Sequence, residues 1–562
     1  MREIIHRVGL GAGLVAGLGP AAAAAQEHQH QAVQPVASPD TPAGTRTPLY
    51  DNLGTLHMAI TTRSPVAQRY FDQGLRLTYG FNHAEAINSF TEGTRQDSTC
   101  AMCWWGIAYA LGPNINVPMD TAAVHPAWAA LQRALKYSAR ATPRERAYIQ
   151  ALSKRYTADP ASPRPPLDSA YAKAMGEVSK RYAADDDAVT MYAEALMDLR
   201  PWRYWTNAGK PEAPSTLTQL ALLQRVVERN PRHPGGCHFY IHAIEASSEA
   251  AKALPCANRL ASLVPGAGHL VHMPSHIYLR LGMWDEAVDH NQSAVAVDEK
   301  FIQDRHPTGV YPIGYYPHNW HMMLSALQQL GRGKEAIAAG RKIAEIVPVD
   351  MMRQIPPLEA YGPVAVLALT RFSRWDEILK EPAPPSDLRY SGGIWHYARG
   401  LAYAETRRLD SAKAEGMALN TIIDSLSPED PVGQNSKRAV LQIAAKHLAG
   451  VIAARQGRTD EAISALREGI ALEDELTYDE PPDWPIPLRQ PLGAVLLAAG
   501  RPKEAETAYR EDLMRYPNNG WSLHGLVQAL RAEGRSREAA ATEVQFHRVW
   551  SRADAELAAA DF

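Results

Sequence analysis

A recurring pair of small residues is the feature that most constrains the fold of this chain. A glycine followed five residues later by an alanine occurs at Gly282/Ala287, Gly331/Ala336, Gly457/Ala462, Gly500/Ala505 and Gly534/Ala539. Glycine permits the left-handed backbone of a tight turn, and alanine lets two helices approach closely. This recurrence predicts helix–turn–helix units that stack on one another to bury a continuous core.

The pattern resembles the tetratricopeptide repeat, a helix–turn–helix of about 34 residues, which is also the interval from Gly500 to Gly534. A proline, which ends a helix, follows the second helix of two of the units, at Pro348 and Pro517. The resemblance covers about residues 65–120 and 215–555, and the longer intervals from Gly282 to Gly331 and from Gly457 to Gly500 indicate insertions between repeats. We therefore expect an all-α, tetratricopeptide-type helix–turn–helix solenoid with inter-repeat insertions.

The N-terminus is typical of an exported protein. Arg2 and Arg7 precede an apolar run at 8–18, and Ala23 and Ala25 occupy the positions of a small-residue cleavage site. We expect a periplasmic or secreted protein with no membrane span after signal cleavage, because no other apolar run approaches about 20 residues.

Composition and repeat pattern together predict the organisation of the chain. The predicted segments are a signal peptide at 1–25, a disordered linker at 26–64, N-terminal helical repeats at 65–214 that become irregular after 120, histidine-rich repeats at 215–349 with an insertion at 300–317, and C-terminal repeats at 350–562. The net charge of −3 includes no basic block, which argues against a nucleic-acid partner. Nucleotide-binding loops, nucleophile elbows and flavin fingerprints are also absent from the sequence.

Histidines repeat in register with the helical pairs. Ten of the 20 histidines lie between His233 and His321. The spacing His-x-x-x-His occurs at 238/242 and again one repeat length later at 272/276. Residues four apart share one face of a helix, so each pair points in one direction.

The tetratricopeptide resemblance implies where these side chains point. Residues 13, 10, 6 and 3 before the turn glycine face the concave groove of such repeats. This register places His238, His242, Glu245, His269, His272, His276, His318 and His321 toward the groove, together with Trp105 and Tyr109. Tyr315 and Tyr316 are further candidate groove residues in the insertion, which is either a lid over the groove or an ordinary inter-repeat loop. Pro274 predicts that its helix either kinks or begins at Met273.

The histidine pattern predicts a metal site, with alternatives that remain open. The expected ligands are His238, His242, Glu245, His272 and His276, and His318 and His321 are candidate further ligands. Imidazole and carboxylate donors suit Zn, Fe, Cu or Mn. The site then belongs to a metal-dependent enzyme acting on a small substrate, or to a metal carrier or sensor. The alternative is a non-enzymatic scaffold that uses these residues to hold a peptide or partner protein in its groove.

The run from Gly268 to Tyr278 is similar to one in uncharacterised secreted bacterial repeat proteins, and this similarity brings no activity with it. Because the protein is expected to be exported, its four cysteines are expected to lie in an oxidising compartment, where disulfides can form. Cys237 and Cys256 fall on the two helices of one repeat, where a disulfide is expected. For Cys100 and Cys103, either packing as thiols or a local disulfide fits the spacing.

Overall fold

The computed structural model describes residues 46–555 and residue 557, and almost all of its regular structure is helical. The α-helices in chain order are α1 Pro65–Thr78, α2 His83–Gln96, α3 Ala101–Ala110, α4 Val124–Tyr137, α5 Pro143–Leu152, α6 Arg164–Arg181, α7 Asp186–Met197, α8 Pro214–Arg229, α9 Pro234–Ile244, α10 Leu254–Leu263, α11 Gly268–His272, α12 Pro274–Leu281 and α13 Trp284–Arg305. They continue with α14 Tyr316–Gln329, α15 Gly333–Ile346, α16 Val349–Gln354, α17 Val364–Arg371, α18 Trp375–Ile378, α19 Arg389–Glu405, α20 Leu409–Ser425, α21 Lys437–Arg455, α22 Thr459–Glu475, α23 Arg489–Ala498, α24 Pro502–Arg515, α25 Gly520–Ala532 and α26 Ser536–Val549.

Shorter elements join these helices. Short 3₁₀ segments occur at Thr121–Ala123, Ser138–Arg140, Ala250–Ala253, Pro356–Tyr361 and Trp550–Arg552, and a π-helical turn occurs at Tyr311–Tyr315. Strands β1 Pro431–Val432 and β2 Asn435–Ser436 form a small antiparallel hairpin before α21.

The glycine–alanine pattern marks the turns and crossings of the helical pairs. Gly282, Gly331, Gly457, Gly500 and Gly534 all have positive φ, between 67° and 77°. The alanines that follow them by five residues are buried where the two helices of a pair meet. The left-handed glycine ends the first helix and lets the second fold back on it. The prediction of an all-α, tetratricopeptide-type solenoid is confirmed.

The part of the predicted disordered linker that the structure describes, residues 46–64, is ordered, because it is packed against α1 and α2. Leu53 and Met58 are each only 2% exposed, and the Met58 amide donates to Asp72 at 3.2 Å. The polar composition of the segment did not reveal these two apolar anchors. The predicted signal peptide at 1–25 and residues 26–45 lie outside the described residues.

The predicted insertion at 300–317 also differs from the structure. Helix α13 continues to Arg305, so the first part of the predicted insertion belongs to a helix that the repeat length did not anticipate. The irregular part begins at His306, whose backbone is left-handed, and the π-helical turn leads into α14.

The last repeats return to the middle of the stack. Asn518 donates to the Gly282 carbonyl at 3.4 Å, and the Trp521 indole donates to the Gln328 carbonyl at 2.7 Å. The loop between α22 and α23, residues 476–488, lies against the histidine-rich helices. No helix in the described ranges is long and apolar enough to cross a membrane.

Candidate metal centre

Six histidines from four helices meet in the interior of the protein. His238 and His242 come from α9, His269 and His272 from α11, His276 from α12 and His318 from α14. The first five are at most 2% exposed, and His318 is partly exposed. The cluster is buried instead of lining an open groove, because residues of the α22–α23 loop and the π-helical turn pack over it.

The six rings form two groups of three. Triad A consists of His238, His242 and His269, and triad B consists of His272, His276 and His318. In each triad, one ring nitrogen per residue lies within 4.8 Å of the others. Three imidazole nitrogens bound to one ion at about 2.1 Å would be about 3.4 Å apart, so small ring rotations bring each triad to binding distance. The two triads adjoin, since the ring centroids of His242 and His276 are 5.2 Å apart.

Hydrogen bonds from Nδ1 to amide oxygens fix the tautomers of two of the rings, His238 and His272. His238 Nδ1 lies 2.7 Å from the Tyr79 carbonyl oxygen, which can only accept. His272 Nδ1 lies 2.6 Å from the Asn291 Oδ1 atom. The Asn291 amide nitrogen donates to the Ala287 carbonyl at 2.8 Å, which holds its oxygen toward the histidine. Both histidines therefore carry their proton on Nδ1 and a lone pair on Nε2.

A buried carboxyl group does the same for two more rings. Glu245 lies 3.1 Å from His242 Nδ1 and 2.8 Å from His276 Nδ1. Glu480, from the α22–α23 loop, also contacts His276 Nδ1. Carboxylate oxygens accept these protons, so the Nε2 atoms of His242 and His276 are also unprotonated.

This tautomer pattern leaves an electrostatic problem inside triad B. The Nε2 atoms of His272 and His276 are 2.8 Å apart, and each presents a lone pair to the other. No proton is available between them, because both rings carry their proton on Nδ1. His242 Nε2 likewise has no hydrogen-bond partner among the described residues. The arrangement is repulsive unless a cation lies between the nitrogens.

Burial keeps the imidazoles neutral. Desolvation lowers the pKa of all six rings, to about 3 at His242 and about 4 at His272. Burial also raises the pKa of Glu245 and of Glu480, and the charge of Glu245 raises that of Glu480 further. The hydrogen bond between the two carboxyl groups raises the pKa of Glu480 and lowers that of Glu245, so Glu480 holds the proton while no cation is bound and Glu245 remains the acceptor of the Nδ1 protons.

Aromatic rings surround the cluster. Phe81 lies 4.5 Å from His238, Tyr315 lies 4.8 Å from His269, and Trp202 lies 5.3 Å from His242, measured between ring centroids. Tyr315, which belongs to the predicted insertion, thus lies beside His269. The apolar wall excludes water and lowers the local dielectric constant.

Other predicted site residues lie elsewhere. His321 contacts Tyr361 and belongs to neither triad, and the Tyr316 hydroxyl donates to Glu299 at 2.9 Å. Trp105 and Tyr109 stack on each other inside the N-terminal repeats, where the Tyr109 hydroxyl donates to Glu194. These two aromatic residues form core and do not line a groove, because α4–α7 pack over the face that the regular repeat would leave open.

Sequence reasoning missed three residues that orient the ligands. Asn291 is on α13, one turn after Ala287, and Tyr79 acts only through its backbone carbonyl. Glu480 reaches the site from a loop that is far from the histidines along the chain. A search for acceptors near the predicted pairs could have found Asn291, but no local pattern signals Glu480.

Both cysteine pairs are joined as disulfides in the structure. Cys237 and Cys256 connect α9 to α10 with their Cα atoms 5.1 Å apart. Cys100 and Cys103 are joined at the start of α3, with a Cα separation of 5.4 Å. The first of these disulfides anchors α9, which carries two histidines of triad A and is followed directly by Glu245.

Comparisons with known proteins find solved structures of low similarity. No protein-family model matches the chain, and no curated protein sequence matches it. Among solved structures, it is similar to the Cut9–Hcn1 hetero-tetramer of APC/C, with a TM-score of 0.31, 16% identity, and coverage of 83% of this chain and 76% of that one. It is similar to the human IFIT1 dimer with m7Gppp-AAAA, with a TM-score of 0.31, 13% identity, and coverage of 87% and 91%. It is also similar to yeast Tom70, with a TM-score of 0.28, 11% identity, and coverage of 86% and 93%.

Similarity at these TM-scores carries no argument about function. The fold class rests on the helical pairs, left-handed glycines and buried alanines of the chain itself. The chain is a tetratricopeptide-type solenoid that encloses a cluster of histidines.

Proposed function

We propose that this protein binds two transition-metal ions, one in triad A and one in triad B, through Nε2 atoms. The observation that carries the proposal is the 2.8 Å separation of the Nε2 atoms of His272 and His276, both of which present lone pairs. A cation turns this repulsion into coordination. Oxygen acceptors at the Nδ1 atoms are the usual outer partners of metal-bound histidines and raise their basicity.

The donor set narrows the choice of metal. Triads of neutral imidazole suit Cu and Zn, whereas Mn prefers carboxylate and water ligands. Fe is also compatible with imidazole, although its common sites include a carboxylate ligand. Glu245 remains a candidate ligand, because its oxygens lie close to His242 and His276. We favour Glu245 as an outer acceptor because both of its oxygens already receive Nδ1 protons.

The coordination number points to chemistry at the centre. Three protein ligands leave a fourth position open on each ion. Two adjacent divalent ions bring four positive charges into a buried site where Glu245 and Glu480 are the carboxyl groups in contact with the ligands. With metal bound, the charge that these two carboxyl groups do not neutralise would favour an anionic ligand such as hydroxide. A metal-dependent enzyme acting on a small molecule, through activated water or dioxygen, uses such open positions.

Two alternatives make different demands on the same residues. A metal carrier or sensor needs the ions but no open position. A peptide-binding or protein-binding scaffold needs neither, and it leaves the facing lone pairs without an explanation. The two disulfides support our further proposal that the protein works in an oxidising, extracytoplasmic compartment.

Metal content is the first test. The protein is purified without a histidine tag, as wild type and as His272→Gln/His276→Gln, and its metals are quantified by mass spectrometry. We expect about two ions per wild-type chain and the loss of at least one in the double variant. His290→Gln is the matched control, since His290 lies on α13 outside both triads, and it should retain all metal. A wild-type protein that neither contains metal nor takes up added Zn²⁺ or Cu²⁺ would contradict the metal-binding proposal and favour the scaffold function.

A second test separates an open centre from a closed carrier site. Azide added to the copper(II) form should bind at an open position and produce a new charge-transfer absorption band. Spectra that do not change at saturating azide would indicate that the coordination positions are closed, which favours the carrier.

A further inference from the structure

A second polar site lies in the C-terminal repeats, away from the histidine triads in the sequence. A cavity of about 430 Å³ is bounded by α17, α19, α21, α23, α25 and the C-terminal segment around Asp554. Its lining includes Arg371, His447 and Trp521, with Leu401, Val451 and Ile486 as an apolar wall. This volume is within the range of small-molecule pockets.

Arg371 brings an uncompensated charge to this cavity. The side chain is nine-tenths buried, with the residue 6% exposed, and its Nε and Nη2 atoms have no hydrogen-bond partner among the described residues. Its guanidinium lies 4.0 Å above the ring of Trp521, which holds the group by a cation–π contact. Burial lowers the pKa of Arg371 to about 9, so the group is still charged at neutral pH.

The neighbouring carboxyl groups are already engaged. Asp512 attracts Arg371 through space, and its Oδ2 atom accepts from Ser522, Gln490 and Asn519. Its Oδ1 atom has no hydrogen-bond partner among the described residues, but it does not reach the guanidinium. Glu405 pairs with Arg455 at the cavity edge, and Asp554 accepts from the backbone amides of Gly333 and Lys334. Within the described part of the chain, none of these carboxylates forms an ion pair with Arg371. A buried guanidinium without a fork partner is costly, and a bound anion removes that cost.

His447 supplies a second donor. Its Nδ1 atom lies 2.8 Å from the Tyr397 hydroxyl, and the ring lines the cavity. Burial lowers the pKa of His447 to about 3, so the imidazole is neutral and carries one proton. When the Tyr397 hydroxyl donates to Nδ1, this proton is on Nε2, where it can be donated to a ligand.

We propose that this cavity binds a small carboxylic acid, with its carboxylate on Arg371 and His447 and its apolar body against Leu401, Val451 and Ile486. A planar guanidinium fork matches a carboxylate bidentately. Among the buried groups of the lining, one full positive charge and one neutral donor balance a monoanion, whereas the other two cations, Lys334 and Arg374, are exposed to solvent. The site is independent of the metal centre, because it shares no residue with either triad.

The test measures binding of 3-phenylpropionate to the full chain by isothermal titration calorimetry. The neutral amide 3-phenylpropionamide has the same shape without the charge, and inorganic phosphate tests the other class of anion. We expect saturable binding of the carboxylate, binding of the amide at least tenfold weaker, and no competition by phosphate at equal concentration.

Variants assign the binding to Arg371. Arg371→Met should weaken 3-phenylpropionate binding at least tenfold, and Arg371→Lys should give an intermediate loss because the charge remains while the fork is gone. Arg374→Met is the matched control: Arg374 lines the same cavity but is exposed and paired with Glu377, so its loss should change affinity less than twofold. Circular dichroism checks that every variant is folded.

Several results would overturn the proposal. These are the absence of carboxylate binding to the wild type, equal binding of the amide, an equal loss in Arg374→Met and Arg371→Met, or tighter binding of phosphate than of the carboxylate. If Arg371→Met does not fold, Arg371→Lys becomes the test. An affinity of Arg371→Lys for 3-phenylpropionate equal to that of the wild type would contradict the bidentate contact.

Discussion

At the scale of single residues, the candidate centre depends on atoms that never touch a metal. The Asn291 amide is held by the Ala287 carbonyl, and its oxygen in turn fixes the tautomer of His272. The lone pair on His272 Nε2 is thus set by a residue on a different helix. Such outer partners tune affinity by orienting the ring and raising its basicity.

Replacing Asn291 tests this dependence. Asn291→Leu removes the acceptor at similar size, and we expect the affinity of triad B for Zn²⁺ to fall by roughly 10- to 100-fold. Asn291→Asp keeps an acceptor at Nδ1 and should therefore bind Zn²⁺ more tightly than Asn291→Leu. Competition with a chromogenic chelator measures both affinities. Equal affinities in the two variants would show that the Nδ1 hydrogen bond has no role in binding.

A buried carboxyl group away from the centre makes stability depend on pH. Burial raises the pKa of Glu473 to about 7, above its ordinary value of 4.5, while its carboxyl accepts from the Leu488 amide at 2.9 Å. The folded protein keeps this proton between pH 4.5 and 7 and the unfolded chain loses it, so stability falls as pH rises through that window and is level above it. The slope is about 1.4 kcal/mol per pH unit for one group.

Glu473→Gln should remove this dependence. The free energy of unfolding of the wild type relative to the variant should be higher at pH 5 than at pH 8, as measured by urea denaturation at both values. Glu475→Gln, an exposed position on the same helix, is the control and should show no such difference. If the difference in free energy of unfolding between the wild type and Glu473→Gln is the same at both pH values, the raised pKa of Glu473 is contradicted.

At the scale of helices, the disulfide between Cys237 and Cys256 holds α9 against α10. A cross-link over a sequence separation of 19 residues restricts the unfolded chain. In the chain-entropy estimate this stabilises the folded state by about 3 kcal/mol. Cys237→Ala/Cys256→Ala should therefore lower the free energy of unfolding by about this amount. The Cys100–Cys103 disulfide closes a much shorter loop, so Cys100→Ala/Cys103→Ala should lose less. Urea denaturation of both variants measures the difference, and an equal loss would argue against loop closure as the source.

Helical pairing is also the part of the fold that sequence predicts best. Glycine turns and alanine crossings act within one repeat, so Gly282 and Ala287 indicate a helical hairpin without knowledge of the rest. The direction of His272 could not be predicted in this way, because Pro274 separates α11 from α12 and gives each its own axis. Both triads combine a pair four residues apart, or its equivalent across that break, with one ring from the second helix further along the chain. Sequence register found the six histidines, but it could not assign them to two groups.

At the scale of the molecule, the return of the C-terminal repeats decides what covers the centre. Glu480 lies in the α22–α23 loop and contacts His276, and Tyr478 of the same loop lies against Arg280 of α12. Such contacts depend on the summed rotation of many repeats, which no local pattern encodes. This is why the sequence could not predict that the C-terminal repeats cover the site.

Because the loop at 476–488 packs over the centre, we expect metal binding to affect residues that are far from the ligands along the chain. Zn²⁺ in triad B should hold His276 in place and, through it, Glu480, so hydrogen exchange should slow in α11, α12, α14 and the loop at 476–488 together. Helices α4–α6 contribute no residue to the triads and should exchange unchanged. The measurement is hydrogen–deuterium exchange followed by mass spectrometry, with and without Zn²⁺.

Glu480→Ala tests whether the loop at 476–488 responds to bound metal through the Glu480 carboxyl group. In this variant Zn²⁺ should still slow exchange in α11, α12 and α14, because triad B is intact, but it should no longer slow exchange at 476–488. If the loop is protected equally in the variant, its coupling to the metal does not pass through the carboxyl group. If the wild-type loop is unaffected by Zn²⁺, the C-terminal repeats cover the centre without responding to it, and any substrate gate must lie instead at the π-helical turn beside Tyr315.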